Sequence, residues 1–188
     1  MKITLLPGDG IGVEIVDAAV EVLDAAAKKF GFEIEYDKQL IGGCAIDATG
    51  VPLPEETVAS AKVADAVLLG AVGGPKWDNV APDIRPEKGL LGIRKALGLY
   101  CNLRPMTVSR FTAHLSPLKT ENAEGADLLI VRELTGGIYF GEHNEAHINA
   151  DGVEEASDVE LYTRPEVERI AKFAFEAAKK RRGKVTSV

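Results

Sequence analysis

The sequence predicts an α/β protein with much parallel sheet. Segments with strand and helix patterns alternate along its 188 residues, which is the order typical of parallel strands joined by helices. The run from Ala66 to Val72 is apolar throughout, as expected for a strand covered on both faces. This length is sufficient for one sizeable core or two small domains.

The first elements follow from local patterns. A strand is expected over residues 2–6, followed by a glycine turn and a helix from about Val13 to Phe30 that ends at Gly31. A half-exposed strand is expected around Tyr36, and Pro54 opens a short helix with an acidic first turn. The apolar face of the long helix is predicted to comprise Ile15, Ala19, Val22, Leu23 and Ala26.

The later elements are a loop, a helix that carries an arginine, and more strands. Residues 73–86 are rich in Gly, Pro and Asp, which predicts a functional or mobile loop. A capping box of Thr163 with Glu166 starts a helix whose apolar face includes Val167, Ile170, Ala174 and Ala178. Strands are expected at 128–131, 138–140 and 159–162, and another is expected to begin at Lys184.

Composition excludes several classes of partner. A net charge of −7 and a pI near 5.1, without a basic stripe, argue against nucleic acid and against an anionic membrane surface. No apolar stretch approaches 18 residues, and the N-terminal apolar run is too short for a signal peptide. Cys44 and Cys101 form no disulfide or metal-binding pattern, so a cytoplasmic location is expected.

Three arginines lie at the edges of apolar segments. Arg94 interrupts the apolar stripe Leu90–Leu91–Leu97 of a predicted helix, Arg104 precedes Pro105 in extended chain, and Arg132 follows the apolar strand. Guanidinium groups bind carboxylates through paired hydrogen bonds, so the three are predicted to converge on a small dicarboxylate. The alternative is that each pairs with a structural acid or extends into water.

The glycine turn does not fit a dinucleotide fingerprint. Residues Gly8 to Gly12 follow the first strand, but Val13 stands where the third glycine of a Rossmann motif belongs. The fold is therefore predicted not to be a Rossmann fold. A tight turn before a helix can still receive an anion or a polar ligand.

Two further motifs have both a chemical and a structural interpretation. His143, Glu145 and His147 share one face if the chain is extended, but a solvated loop or arm tip is favoured over a metal site. Tyr139 stands among glycines, where its phenol could act as a general acid beside a cation. The alternative is that this tyrosine only packs in a strand.

Several segments together resemble the isocitrate/isopropylmalate dehydrogenase family of β-decarboxylating dehydrogenases. They are Leu6–Gly12, Gly70–Trp77, Arg85–Leu91, Asn102–Pro105 and Val131–Gly141, and they occur in family order. The resemblance runs from Met1 to Val188 and covers about the first half of a family member. It implies a first domain over 1–99 on the cofactor side. It also implies a second over 100–188 on the substrate and dimer side, with a β-arm at about 133–158.

The resemblance implies NAD-dependent oxidation and decarboxylation of a 2-hydroxy diacid by a homodimer. Arg94, Arg104 and Arg132 would hold the two carboxylates, and Tyr139 would protonate the product enolate. Ile11 and Glu87 would lie near the cofactor, together with Gly74, Pro75, Lys76, Trp77, Asp78 and Asn79.

Glu87, Leu90 and Leu91 would form the pocket that selects the substrate. The leucines offer only apolar surface, which favours the isopropyl group of 3-isopropylmalate over a third carboxylate. The implied pathway is leucine biosynthesis. The alternatives within the family are tartrate, homoisocitrate and isocitrate.

The motif order implies that the family's lysine base, its Mg²⁺- or Mn²⁺-binding aspartates and its adenosine-binding segment follow Val188. Lys184 does not match that lysine, so this chain alone is predicted to be inactive. Residues 142–157 also depart from the family pattern, being longer and more acidic. A rival hypothesis is a short protein that binds a dicarboxylate or a full-length partner without catalysis, although an unfinished edge strand disfavours it.

Overall fold

The computed structural model describes residues 1–188, which form two units, Met1–Gly98 (unit 1) and Leu99–Val188 (unit 2). Unit 1 contains β1 (Lys2–Gly8), α1 (Gly12–Phe30), β2 (Glu35–Lys38), α2 (Gly43–Thr49), α3 (Glu55–Val63), β3 (Ala66–Ala71) and α4 (Pro86–Ala96). Unit 2 contains β4 (Cys101–Thr107), α5 (Thr120–Ala123), β5 (Asp127–Glu133), β6 (His143–Ile148), β7 (Glu154–Asp158) and α6 (Arg164–Lys179). None of these helices combines the length and apolarity needed to cross a membrane.

The sheet of unit 1 is parallel, with strand order β2-β1-β3. This arrangement confirms the α/β prediction, and the pairing of β3 with β1 differs from the 3-2-1 order of a Rossmann half. The prediction that β3 is covered on both faces is confirmed in part: Val67 and Leu69 pack against one hydrophobic cluster of unit 1 and Leu68 packs against the other, but none of them is fully buried. This strand is half-buried at the edge of the sheet, because the central and almost fully buried position belongs to β1.

Side chains of β1 alternate between two hydrophobic clusters. Leu6 packs on one face with Ile41 and Ile93, whereas Ile3 and Leu5 pack on the other face with residues of α1. The two-residue period of a strand places these side chains on opposite faces. The core of unit 1 is thus built from both sides of one strand.

The predicted apolar face of α1 was wrong for Ile15 and Val22 but right for Leu23, which packs against the sheet. Val22 is 69% exposed and Ile15 is 45% exposed. The face that packs on the sheet comprises Gly12, Val16, Val20, Leu23 and Ala27. Apolar residues occur all around this helix, so periodicity alone does not select a face. The packed face is determined by Gly12, because only a residue without a Cβ allows the helix to lie this close to the sheet. A Cβ there would lie 2.0 Å from the carbonyl oxygen of Pro7 and 2.7 Å from the amide nitrogen of Ala71.

Gly12→Ala is expected to destabilise the protein although alanine favours helix. The added methyl group would overlap backbone atoms of β1 and β3, and overpacking of this kind costs about 1–3 kcal/mol. Chemical denaturation of the variant measures the effect. The control is Val13→Ala at the next, exposed position, which should stay within about 0.5 kcal/mol of the parent. Equal stability of the two variants would contradict the packing argument.

Unit 2 is built on the antiparallel pair β4–β5, against which α6 packs. The predicted capping box is present, since the Glu166 carboxylate accepts hydrogen bonds from both the backbone and the hydroxyl of Thr163. Ala178 is buried as expected, but Val167 is 52% exposed. The packed face of α6 therefore begins later along the helix than the pattern indicates.

Three predicted strands of unit 2 are absent. Residues 138–140 form a turn, because Gly137 adopts a φ of +78° and its carbonyl accepts hydrogen bonds from Phe140 and Gly141. The strand predicted at 159–162 is extended chain outside a ladder, and the paired strand is β7, directly before it. No strand forms at 184–188.

The strands β6 and β7 form an antiparallel hairpin that is exposed on both faces. This is the arm tip that the sequence favours around His143 and His147. His143 Nδ1 lies 2.5 Å from an Asp158 oxygen, and His147 Nε2 lies 3.3 Å from a Glu155 oxygen. The carboxylates of Asp158 and Glu145, which accept hydrogen bonds from the ring, raise the pKa of His143 above its usual value.

Candidate functional site

A buried carboxylate organises the loops at the carboxyl end of β1. Asp9 is 3% exposed, and its Oδ2 accepts hydrogen bonds from the amides of Gly43 and Gly73, both at 2.7 Å. Its Oδ1 accepts one from the amide of Cys44 at 2.7 Å. Asp9 therefore joins the turn after β1 to the start of α2 and to the loop after β3. Sequence reasoning missed this role, although an acid inside a glycine turn directly after a buried strand is a recognisable signal.

The glycine at the end of β1, Gly8, serves close packing. A Cβ on Gly8 would lie 1.9 Å from the carbonyl oxygen of Ala71, so this glycine lets the turn lie against β3. Gly10 has open space around its Cβ position. Ile11 directly precedes α1 and is 58% exposed, so its side chain is accessible to a ligand.

The loop after β3 is attached to α2 by Trp77 and Lys76. The Trp77 ring lies directly over Gly43, where a Cβ would come within 2.3 Å of the indole. Asp47 accepts hydrogen bonds from Trp77 Nε1 at 3.2 Å and from Lys76 Nζ at 2.6 Å. These two hydrogen bonds lower the pKa of Asp47.

An open depression of about 290 Å³ lies beside this loop. It is lined by Gly74, Trp77, Asp78, Arg85, Pro86 and Glu87. Four of the residues predicted to contact a cofactor are thus brought together. Pro75, Lys76 and Asn79 belong to the same loop without lining the depression, and Ile11 does not line it either. Glu87 extends over Gly73, where a Cβ would lie 2.8 Å from its carboxylate.

Helix α4 carries the predicted specificity residues. Its buried face includes Gly89 and Ile93. Of the predicted apolar stripe, Leu97 packs against the hydrophobic cluster that contains Leu6, Ile41 and Ile93. Gly89 sets the orientation of the helix, because a Cβ there would lie 2.4 Å from the carbonyl oxygen of Pro52. Leu90, Leu91 and Arg94 are half-buried beside that face. The convergence of Arg94 with the arginines of unit 2 stays a prediction.

In unit 2, the pair β4–β5 presents two of the predicted arginines on one face. Asn102 lies directly opposite Arg132, and Arg104 is two residues from Asn102, so all three project to the same side. Asn102 Oδ1 accepts a hydrogen bond from Arg104 Nε at 2.9 Å. The sequence prediction that Arg104 lies in extended chain is confirmed.

Tyr139 lies beside Arg132, with the guanidinium carbon 5.2 Å from the centre of its ring. The phenol ring is 59% exposed and stands on the glycine turn that replaces the predicted strand. Tyr162 supports this turn from below, since a Cβ on Gly137 would lie 2.4 Å from the Tyr162 hydroxyl. The structure thus brings Tyr139, a candidate proton donor, next to Arg132, a candidate binding residue for a substrate carboxylate.

Glu133, next to Arg132 on β5, is a second buried carboxylate that accepts several hydrogen bonds, and sequence reasoning missed it. Its side chain is 7% exposed and accepts hydrogen bonds from Arg169 at 2.8 and 3.2 Å and from the Thr135 hydroxyl at 2.7 Å. The Arg169 guanidinium also stacks over Tyr100 at 4.6 Å. This network fixes the start of the segment that leads to Tyr139. An acid that ends an apolar strand was the available signal.

The Glu133 network predicts a pH dependence of stability. Burial tends to raise the pKa of Glu133, but the hydrogen bonds from Arg169 and Thr135 outweigh it and hold the pKa below its usual value. The ionised group therefore contributes stability above the unfolded-state pKa and loses that contribution as the pH falls through the folded-state pKa.

Unfolding by urea between pH 6 and pH 3 measures this contribution. We expect Glu133→Gln to show a shallower loss of unfolding free energy with acidification than the parent protein. Glu176→Gln, at an exposed position on α6, serves as the control and should keep the parental slope. A parental slope in Glu133→Gln as well would contradict the prediction.

The family model for isocitrate/isopropylmalate dehydrogenase matches residues 2–188, almost the entire chain. The chain belongs to this family. Among its relatives, 3-isopropylmalate dehydrogenase of Bacillus licheniformis is 58% identical over all of this chain and 50% of that protein. The chloroplastic 3-isopropylmalate dehydrogenase 2 of Arabidopsis thaliana is 56% identical over 99% of this chain and 46% of that protein.

Solved structures of the family share the fold. An isocitrate dehydrogenase from Methylococcus capsulatus aligns with a TM-score of 0.73 and 32% identity over 97% of this chain and 49% of that one. A β-decarboxylating dehydrogenase from Thermococcus kodakarensis aligns with a TM-score of 0.66 and 36% identity over 96% of this chain and 46% of that one. The chain spans about half the length of the curated relatives it matches, in agreement with the coverage expected from the motif order.

Proposed function

We propose that this chain serves the oxidative decarboxylation of 3-isopropylmalate with NAD as the hydride acceptor. The observation that carries the proposal is the placement of Arg132 beside Tyr139, on the strand pair whose same face presents Arg104. This arrangement combines binding of a carboxylate with a proton donor. The similarity to enzymes named 3-isopropylmalate dehydrogenase, at 54% to 58% identity, supports the choice of substrate.

The arginines would bind the two carboxylates of the malate part of the substrate. Arg104 and Arg132 offer charge-assisted hydrogen bonds from one face of unit 2, and we propose Arg94 of unit 1 as the third ligand. Once carbon dioxide has left, the Tyr139 hydroxyl would donate its proton to the carbon that lost the carboxylate. Arg132, stacked near the tyrosine ring, would keep the phenol oriented toward the bound anion.

We assign the nicotinamide ring to the depression beside the loop after β3. Asp78 and Glu87 contribute carboxylates, and Trp77 contributes an aromatic ring, a set that favours a planar cation. Arg85 adds a guanidinium at the same depression that suits a phosphate. When bound, NAD would accept the hydride from the carbon that carries the substrate hydroxyl.

The Mg²⁺ or Mn²⁺ expected from the family resemblance is not placed on residues of this chain. No group of three or more His, Cys, Asp or Glu side chains is arranged to hold a metal ion. No step is therefore assigned through a metal. The prediction that this chain alone does not reduce NAD stays a prediction, which an assay of the purified 188-residue protein would test.

Helix α4 would select the substrate through its side chains Glu87, Leu90 and Leu91. Leu90 and Leu91 are half-buried, so part of their apolar surface remains available for an isopropyl group, with Glu87 one turn earlier. We propose that residues 1–99 carry the cofactor side and 100–188 the substrate side and the homodimer interface. A role in leucine biosynthesis in the cytoplasm belongs to the same proposal.

A substrate panel tests this function. The protein expressed from its complete reading frame would be assayed for NADH formation with 3-isopropylmalate, isocitrate, homoisocitrate and tartrate, each with Mg²⁺ and with Mn²⁺. We expect the highest kcat/KM on 3-isopropylmalate. A preference for a substrate without the branched alkyl group would reject the assignment and favour the corresponding relative. Binding of 3-isopropylmalate without turnover of any substrate would favour the non-catalytic hypothesis.

A further inference from the structure

Asp47 contacts the loop proposed for the cofactor without lining the depression itself. It lies on α2, and its two carboxylate oxygens accept hydrogen bonds from neighbouring residues of that loop. Lys76 Nζ approaches one oxygen at 2.6 Å, and Trp77 Nε1 approaches the other at 3.2 Å. One carboxylate thus holds two neighbouring residues of the loop, and its hydrogen bond from Nε1 orients the indole.

Two further contacts restrict Trp77. Gly43 leaves the space into which the indole face fits, since a Cβ there would come within 2.3 Å of the ring. The Lys76 ammonium, held by Asp47, lies 5.2 Å from the ring centre. The ring is therefore held by Gly43 at one face, by Asp47 at its Nε1 edge and by the ammonium. Trp77 lines the depression in this fixed orientation.

Asp47 and Asp9 act on the two ends of the same short segment. Asp9 accepts the amide hydrogens of Gly43, at the start of α2, and of Gly73, directly before the loop. Asp47 then holds the loop four residues later at Trp77. Because Asp47 is on the exposed side of α2, its loss would release the loop without removing the buried contacts of Asp9.

We propose that Asp47 is a positioning residue for the cofactor, acting through Trp77 and Lys76 on the depression that receives the nicotinamide end. This inference rests on the proposed function, because it takes the depression as the cofactor site. Asp47 lies outside that depression, but its contacts hold the loop in the orientation that binds the cofactor. Loss of preorganisation weakens binding and leaves the chemical groups on β4, β5 and the Tyr139 turn in place.

Trp77 is the only tryptophan of the chain, so its fluorescence reports on this loop alone. The experiment compares acrylamide quenching of the 188-residue protein with that of Asp47→Ala and Asp47→Asn, excited at 295 nm. The same substitutions are then made in the protein expressed from its complete reading frame, and the KM for NAD⁺ is measured, because the adenosine-binding segment is expected after Val188. Asp47→Ala should increase acrylamide quenching and raise the KM for NAD⁺ by about 3- to 10-fold, the effect of one or two lost hydrogen bonds. Asp47→Asn, which keeps an acceptor oxygen for the indole, should be intermediate.

Asp17→Ala is the matched control. Asp17 is an exposed acid on α1 that lies 4.0 Å from Lys38, and its removal should change neither quenching nor the KM for NAD⁺. Unchanged quenching and an unchanged KM for NAD⁺ in Asp47→Ala would overturn the positioning role while leaving the proposed function intact. If the protein expressed from its complete reading frame forms no NADH with any of the tested diacids, the proposed function fails. The acrylamide comparison would still decide whether Asp47 orients the loop.

Discussion

Replacing Asp9 with alanine is expected to lower the free energy of unfolding by about 3 kcal/mol or more, because three backbone amides lose their acceptor. An amide left without a partner away from water costs about 1–3 kcal/mol, and the amide of Gly43 is buried. The variant should also lose order in the loop after β3, since the amide of Gly73 is one of the three donors. Urea unfolding followed by circular dichroism gives the first effect, and Trp77 fluorescence gives the second.

The control for this substitution is Asp17→Ala, which removes an acid of the same size from an exposed position in the same unit. It should cost no more than about 0.5 kcal/mol. Asp9→Asn should lie between the two, because its carbonyl oxygen replaces one acceptor while its amide group faces a donor. If Asp9→Ala were no less stable than Asp17→Ala, the three hydrogen bonds would not support the fold as argued.

The second large effect is expected for Tyr139→Phe, which keeps the aromatic ring and removes only the phenol hydroxyl. General acid catalysis by a positioned side chain contributes about 10²- to 10⁴-fold, so kcat on 3-isopropylmalate should fall by that factor. The arginines proposed to bind the substrate carboxylates remain, so the KM for 3-isopropylmalate should change by less than about threefold. The measurement is steady-state NADH formation by the protein expressed from its complete reading frame.

Tyr162→Phe is the matched control for Tyr139. Both phenols are associated with the same glycine turn, but Tyr162 packs beneath it against Gly136 and Gly137. Removing the Tyr162 hydroxyl should leave kcat within about threefold of the parent. Equal losses in the two variants would indicate that the turn, and not proton donation by Tyr139, determines the rate. Unchanged turnover in Tyr139→Phe would remove the proton-donor role altogether.

The sequence was most informative where a residue acts through its local neighbours. The capping box of Thr163 and Glu166, the end of α1 at Gly31 and the extended chain at Arg104 all depend on a few adjacent residues, and all three are present in the structure. The predictions that failed, in whole or in part, concern choices made by distant contacts. Strand β3 is only half-buried because β1 occupies the central position of the sheet. Helix α1 packs through the side that carries Gly12 because β1 and β3 approach the helix closely there.

The candidate site divides in the same way. Side chains with unusual chemistry in a short motif, such as Arg132 and Tyr139, could be singled out from the sequence, and the structure places these two side by side. The roles of the two carboxylates that hold the loops were missed, because their partners are far away in sequence. Asp9 binds amides 34 and 64 residues away, and Glu133 binds a guanidinium 36 residues away. The local signals, an acid inside a glycine turn and an acid at the end of an apolar strand, do not name these partners.

The exposed hairpin of β6 and β7 has a consequence for the dynamics of unit 2. Every residue of both strands is exposed, so separation of the two strands uncovers little apolar surface. A lone two-stranded ladder is marginally stable in water. Local unfolding of this arm therefore requires far less free energy than unfolding of either unit, and its amides should exchange with solvent while the β4–β5 pair remains protected.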